Sequence, residues 1–436
     1  MTAVKLVAKE KGNVNNSTGA EIAASFNSVL SDNRSKRAAC AGVSFMAQQT
    51  RNSSSNVVFR DIGWLTHFFA LNGWPWDWSI ESNFAVGGIT CDLILSDQVP
   101  VILASHEENP IDIIFLAMGT NDIPLGRTYE QVIADMDSII TALTDVGIKV
   151  FIESIMPRGV DTVLEDYKLQ HLQMNKWLEK QSILGRIIYV DITDAMADRT
   201  TDFGNALPDL TFDPSQALHP NSKGAKFIGK LVSDHFAGTL LPTITYAGQN
   251  ADVYDEVNNP TGSLFDNPLL NGGTTKPTGY QGSTWSPVDR ELPNGQLKRA
   301  WEFALTDGGS ANISGTLIKN ASGWGEGDKL KEGDVIEGRC RITTENAIGF
   351  KNMSFYALEN NGSGGIYYKC FDLSVTNESY SLDGSYTYDL KTPKATIRPY
   401  SGSGGPSVLF RLDIVCESTG ASGKIILENF ELRKLI

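Results

Sequence analysis

At 436 residues the chain is longer than one ordinary hydrophobic core accommodates, so two or three domains are expected. A hydrophobic content of 41% with 20% charged residues describes a folded protein in water, and no apolar run reaches the length of about 18 residues that a membrane-spanning helix needs. The formal net charge of -14 excludes a general nucleic-acid or anionic-membrane partner, because both require basic patches.

Residues 1–37 are polar. Lys5, Lys9 and Lys11 are not followed by an apolar stretch, so no secretory signal peptide is expected. After a linker-like patch at 13–19, Ile22, Phe26, Val29 and Leu30 fall on one face of a short amphipathic helix. That helix either docks on its own domain or serves attachment or homo-oligomerisation.

From 38 to 244 strands and helices alternate. Arg37-Ala38-Ala39-Cys40-Ala41 is a candidate first strand and runs into Gly42-Val43-Ser44. Trp74, Trp76 and Trp78 crowd into five residues shortly before Gly87-Gly88. Three rings so close resist joint burial, so they are candidates to line a cleft and bind substrate, against the plainer alternative of packing their own loop. The apolar run at 111–118 has the length and composition of a buried parallel strand and ends at Gly119-Thr120-Asn121-Asp122. Asn121 is thereby placed at a strand's carboxyl end, the edge at which open α/β sheets bind ligands.

Residues 130–146 carry apolar side chains at 132, 133, 136, 139, 140, 143 and 146, one helical face closed by Gly147. A strand at 148–155, a helix at 164–184 and a strand at 187–191 follow. His219-Pro220-Asn221 then precedes a helix at 222–232. Repeated βα units predict a parallel sheet covered on both faces.

Beyond 245 helical periodicity disappears. Aromatic and β-branched runs such as 354–358 and 366–370 are broken by Gly, Asn and Ser clusters, and 424–432 alternates like a closing strand. This texture predicts a β-sandwich with its own core, joined through a linker at 248–262. It resembles the jelly-roll domains appended to carbohydrate-active enzymes. Trp285, Trp301, Trp324, Tyr367 and Tyr368 are the aromatics that could meet a sugar there, although strand aromatics more often pack a core.

The four stretches around Ser44, Gly88, Asn121 and His219 supply a nucleophile, oxyanion donors and a base, the parts of an acyl-transfer site. With these residues in this order, the segment 38–238 resembles the SGNH hydrolases, the GDSL esterase and lipase superfamily. The resemblance implies a flavodoxin-like α/β domain. It also implies Ser44 as nucleophile, His219 as base, and an oxyanion hole made by the Ser44 and Gly88 amides and the Asn121 side chain. Two positions depart from the family. Val43 stands where Asp is usual, and Gln216 stands three residues before His219 where the family's third acid is usual. Losing that charge costs about four orders of magnitude in turnover in a serine protease. Asp213 is the nearest substitute acid; otherwise Ser44 and His219 act as a pair.

The five cysteines are widely spaced, without a Cys-Xaa-Xaa-Cys pair, and read as buried thiols. His67, His106, His171 and His235 lack metal-site spacing and read as structural. Asp122, Asp191 and Asp202 are further carboxylates that could approach His219, with Asp122 better suited to steadying its own loop. Arg127 and Arg158 follow strand ends and could meet an acidic sugar, or simply face solvent.

The sequence therefore leads to three segments: an N-terminal piece at 1–37, a hydrolase domain at 38–244, and a carbohydrate-binding or assembly sandwich at 245–436. The expected activity is removal of O-acyl groups, most plausibly acetyl, from a polysaccharide, with no metal or nucleotide cofactor. The layout is similar to phage tail-spike deacetylases, which would place the chain on a virion; otherwise the cytoplasm is expected. The competing readings are a glycan- or receptor-binding protein whose hydrolase site has decayed, and a lipid esterase, against which the lack of an apolar lid segment counts.

Overall fold

The computed structural model describes residues 36–157, 165–201, 205–211, 218–249, 251–291, 297–318, 324, 328–371 and 383–435. The predicted helix within 20–30, along with Arg158, Asp202, Asp213 and Gln216, lies outside the described residues. The chain forms two compact units. The first is built from residues up to Ala47, Pro75–Asn221 and Leu231–Leu241; the second from Gln48–Trp74, Ser222–Lys230 and the chain from Pro242 on.

The first unit is organised by a four-stranded, wholly parallel sheet. Its order is β1 (Ala38–Gly42), β2 (Ile113–Ala117), β3 (Lys149–Glu153) and β4 (Ile188–Val190). Every residue of β1 and β2 is buried, as continuous apolar strands covered on both faces must be. A four-residue helix, α1 (Ser44–Ala47), starts two residues after β1 ends. The parallel crossovers are made by α2 (Val99–Glu108), α3 (Tyr129–Asp145) and α4 (Glu165–Ile183).

Helix α3 shows how the sequence encodes its element. Thr128 and Gln131 form a reciprocal capping box at its start, and Val132, Met136, Ile139, Ile140 and Leu143 are its buried stripe. Val146, expected on that face, lies past the last turn and is 45% exposed.

In the second unit two sheets supply a sandwich core. One orders Ser286–Glu291, Leu297–Ala304, Ser422–Leu435, Val335–Ile348 and Gly384–Lys391. The other runs Thr50–Asn52, Asn56–Phe59, Gly365–Cys370, Phe350–Asn360, Ser407–Cys416, Ser310–Ile318 and Gln281–Gly282. Ser407–Cys416 alternates strictly, with Val408, Phe410, Leu412, Ile414 and Cys416 turned inward. Phe410 meets Phe430 of the other sheet at 4.3 Å between ring centroids.

Two features of this unit depart from the sequence reading. The second sheet begins with strands taken from residues 48–74, inside the stretch that reads as hydrolase: Asn56–Phe59 pairs in parallel with Gly365–Cys370 and antiparallel with Thr50–Asn52. The stretch 248–262, which reads as a linker, is bound down. Arg433 donates to Thr261 O (2.8 Å) and to Asp252 (3.3 Å), the Asn259 amide donates to Asp252 (2.8 Å), and Tyr254 N donates to Ser263 O (2.7 Å). Polar composition there serves backbone-capping contacts rather than freedom.

All five cysteines are buried free thiols. Among the described residues no helix is long and apolar enough to cross a membrane.

Candidate active site

Ser44 lies at the carboxyl end of β1, as the first residue of α1. The sharp turn before it needs glycine. Gly42 has φ +109°, and a Cβ there would fall 1.9 Å from the carbonyl oxygen of Ala117, which accepts from Val43 N at 3.0 Å. Gly119 is under the same constraint, with φ +88° and space closed by Met136 and Ile155, so the β2 motif passes directly over α3. Adjacent strand ends thus present Gly42-Val43-Ser44 and Gly119-Thr120-Asn121 side by side.

His219 arrives from the far end of the unit. Its Nε2 lies 2.8 Å from Ser44 Oγ, within hydrogen-bond reach, with both residues half-buried. The His loop is fixed by its own motif. Asn221 N donates to Leu210 O (3.0 Å), its side-chain amide donates to Asp209 O (2.9 Å), and Pro220 bridges Thr211. The Phe45 ring flanks the imidazole at 5.3 Å between centroids.

The stretch 83–90 around Gly87-Gly88, the second block of the four, lies along β1: Phe84 N donates to Cys40 O (2.8 Å), Val86 N to Gly42 O (3.0 Å), and the Asn83 amide to Met46 O (3.0 Å). A Cβ on Gly87 would meet Ser44 Cβ at 3.7 Å, so this backbone passes beside the serine, and Gly88 follows it with open space around it. Among the described residues the backbone amides of Ser44 and Gly88 donate to no protein acceptor. The Asn121 side-chain amide donates to Ile89 O at 2.9 Å, which orients it and leaves its second N–H available. The arrangement offers a hydroxyl within reach of a base and, on neighbouring backbone, donors for a developing oxyanion.

The remaining candidates divide. Asp122 is fully buried and accepts from Cys91 N (2.9 Å) and Arg127 (3.2 Å), so it clamps its own loop to the end of the second block; burial raises its pKa. Arg127 is occupied by Asp92, Asp122 and Asp135. Asp191 accepts from Thr193 N at 2.8 Å. His67 is buried with Nε2 against Asp61 O (2.7 Å), and burial pushes its pKa down to about 3. Among the described residues no group of three or more His, Cys, Asp or Glu gathers as a metal site.

The tryptophan cluster is corrected. Trp74, Trp76 and Trp78 are 0%, 5% and 1% exposed and cannot offer a face to substrate. Trp74 stacks on Phe69 and donates its indole N–H to Asp389 O (2.7 Å), while Trp76 packs edge-on against Phe115 and Phe236. Trp74 and Trp76 have separate sets of partners, which relieves the crowding that made joint burial look costly. Trp285 and Trp301 are buried in the same way, with their N–H groups on Asn312 O and Leu270 O, whereas Tyr367 and Trp324 are half-exposed.

A residue the sequence did not single out completes the turn before Ser44. Gln98, at the end of a π-helical turn over Ile94–Gln98, is buried; its Oε1 accepts from Gly42 N (2.7 Å) and its Nε2 donates to Gly42 O (2.9 Å). This amide clamp holds the backbone at a turn where Val43 has no polar group to offer. Gln98→Leu strands the Gly42 amide, so stability should fall by about 1–3 kcal/mol. Turnover should drop by about one to two orders of magnitude as Ser44 shifts. A kcat equal to that of the parent would show that the turn holds without the clamp.

Residues 42–227 match the model of the GDSL-like lipase/acylhydrolase family. No curated protein matches the chain. Among solved structures it is similar to a GDSL-like lipase from Bacteroides thetaiotaomicron, at 18% identity over 51% of this chain and 98% of that one, with a TM-score of 0.35. It is also similar to a member of the lipolytic G-D-S-L family from Veillonella parvula (18% identity, 47% and 100% covered, TM-score 0.36). A third is a carbohydrate esterase family 3 from Talaromyces cellulolyticus (15% identity, 46% and 96% covered, TM-score 0.32). Residues 42–227 thus carry a match to the GDSL-like lipase/acylhydrolase family, and the parallel sheet with the four motif stretches in order lies within the part of the chain that matches or directly adjoins it.

Proposed function

We propose that this chain is a serine esterase that removes small acyl groups, acetyl above all, from a polysaccharide. The observation that carries the reading is the 2.8 Å approach of His219 Nε2 to Ser44 Oγ at the carboxyl edge of a parallel sheet. In this mechanism His219 takes the Ser44 proton as Oγ attacks the ester carbonyl. The oxyanion is held by the Ser44 and Gly88 amides and by Asn121. His219 then protonates the departing sugar hydroxyl, leaving an acyl-Ser44 ester. Water, activated by the same imidazole, cleaves that ester and restores the serine. Placement on a virion as part of a tail spike belongs to the same proposal; what supports it is the order of hydrolase stretch and sandwich along the chain.

Hydrolysis of 4-nitrophenyl acetate against a long-chain 4-nitrophenyl ester tests the reading. A clear preference for acetate is expected; preference for the long chain would make this a lipid esterase, and no hydrolysis of either would make it a binding protein. Asn121→Ala should lower turnover by about two to three orders of magnitude if its amide serves the oxyanion. A change confined to KM would remove it from that role.

The third member of the triad is decided by two variants. If Gln216 leaves His219 without a carboxylate, Gln216→Asp should raise turnover, because it restores the charge that favours the imidazolium. If Asp213 supplies that charge, Asp213→Asn should be the damaging change instead, and a second carboxylate beside the first should give no gain. Turnover of both variants separates the cases, and no change in either leaves a Ser-His pair.

A further inference from the structure

We infer that the first unit carries a binding groove for an acidic, carboxylate-bearing oligosaccharide, beginning two residues beyond Asn121. The groove has a volume of about 1060 Å³ and lies between the turn Ile123–Leu125 with the start of α3 on one side and α4 on the other. That is the upper end of the range for small-molecule sites, and the groove is open rather than enclosed, as a polymer needs. On α4, Gln173, Lys176, Trp177 and Lys180 are spaced three and four residues apart and so form one continuous stripe. Together with Tyr167 at the head of the helix the stripe extends about 20 Å, several times the width of a single ring.

The chemistry of the lining fits an anionic sugar. Trp177, Tyr167 and Tyr129 are each half-buried, so every ring is anchored yet keeps a face or edge toward the groove, suited to packing on the C–H face of a pyranose. Lys176 and Lys180 are exposed and make no ion pair among the described residues. Arg127, also in the lining, is already neutralised by Asp92, Asp122 and Asp135, and Glu130 supplies the acid of the opposite wall. On a chain of net charge -14, the two unpaired ammonium groups mark a place where a carboxylate gains charge-assisted hydrogen bonds instead of repulsion. Exposed lysines on a helix are ordinarily just solvated; here they share a helix with the Trp177 and Tyr167 rings and line one groove with Tyr129 of the opposite wall. The Gln173 amide adds a donor and an acceptor for sugar hydroxyls.

This inference rests on the esterase reading in that the groove would hold the acidic glycan whose ester Ser44 cleaves. Its test is a binding measurement on the full chain by calorimetry, with unesterified oligogalacturonate as probe and a cello-oligosaccharide of equal length as the neutral control. Oligogalacturonate should bind at low salt and weaken as salt is added. The double variant Lys176→Ala, Lys180→Ala and the single variant Trp177→Ala should each lose about tenfold or more in affinity, with Trp177→Phe retaining most of it. Melting temperatures of the variants establish that they are folded. Binding of oligogalacturonate unaltered in the folded double-lysine variant, no binding by the parent chain, or equal affinity for the neutral oligomer would each overturn the proposal. Hydrolysis of 4-nitrophenyl acetate by the parent chain and by Ser44→Ala is read separately: turnover that survives in Ser44→Ala fells the esterase reading, whereas an active enzyme that ignores oligogalacturonate fells only the groove.

Discussion

Ser44→Ala is expected to reduce hydrolysis of 4-nitrophenyl acetate to the background rate while leaving the melting temperature nearly unchanged. Removing the nucleophile of a serine protease costs about six orders of magnitude in kcat, which places the residual rate below what an ester assay resolves above spontaneous hydrolysis. The structural cost is small. Ser44 is half-buried, and its Oγ gives up one hydrogen bond to an imidazole that is itself half-exposed, worth about 0.5–1.5 kcal/mol. The turn around it is set by Gly42, Gln98 and Val86, none of which depends on the hydroxyl. His219→Ala should be nearly as damaging, and combining the two should add little if, as proposed, hydroxyl and imidazole act as one unit. Turnover retained in Ser44→Ala would remove this serine from the chemistry however well the pair is placed.

What could be read from the sequence, and what could not, follows the range of the interactions. The strands Ile113–Ala117 and Lys149–Glu153 and the helix Tyr129–Asp145 are set by local apolar pattern and by caps such as Thr128, and their positions agree with the sequence reading to within a few residues. Ser44, Gly88, Asn121 and His219 stand beside glycines and turn residues that mark their loops. Gln98 had no such mark: its partner is the backbone of Gly42, 56 residues earlier, and a lone glutamine before a helix looks like any other. The tryptophans misled for a related reason. Burial of Trp76 needs Phe115 and Phe236, and burial of Trp74 needs the Asp389 carbonyl as well as its neighbour Phe69; apart from Phe69, no window around 74–78 contains these partners. The strand Asn56–Phe59 was illegible because, beyond its short local partner Thr50–Asn52, the strand that ties it into a sheet lies some three hundred residues further on, as the register Val57 with Tyr368 shows.

That pairing leads to the other large effect. A chain ending at residue 244 should fail to give a soluble folded protein, although every candidate catalytic residue precedes the cut. The segment Gln48–Trp74 belongs to the unit whose remaining mass lies beyond Pro242. Truncation takes away Gly365–Cys370, the strand against which Asn56–Phe59 is hydrogen-bonded, together with Phe371 against His67, and the Asp389 carbonyl and Lys391 ammonium that hold Trp74. Val58, Phe59, Trp64, Leu65, Phe68, Phe69 and Trp74 are all essentially inaccessible in the intact chain. At about 1.5–3 kcal/mol for each side chain returned to water, the loss is on the order of 10–20 kcal/mol, which matches or exceeds the whole stability of an ordinary domain. The exposed edge of Asn56–Phe59 would in addition invite intermolecular pairing. The measurement is soluble yield and size-exclusion profile of the truncated chain beside the full one. A monodisperse, active fragment would show that residues 48–74 can fold without the strands they pair with here, and would return the division at 245 to a boundary between independent domains.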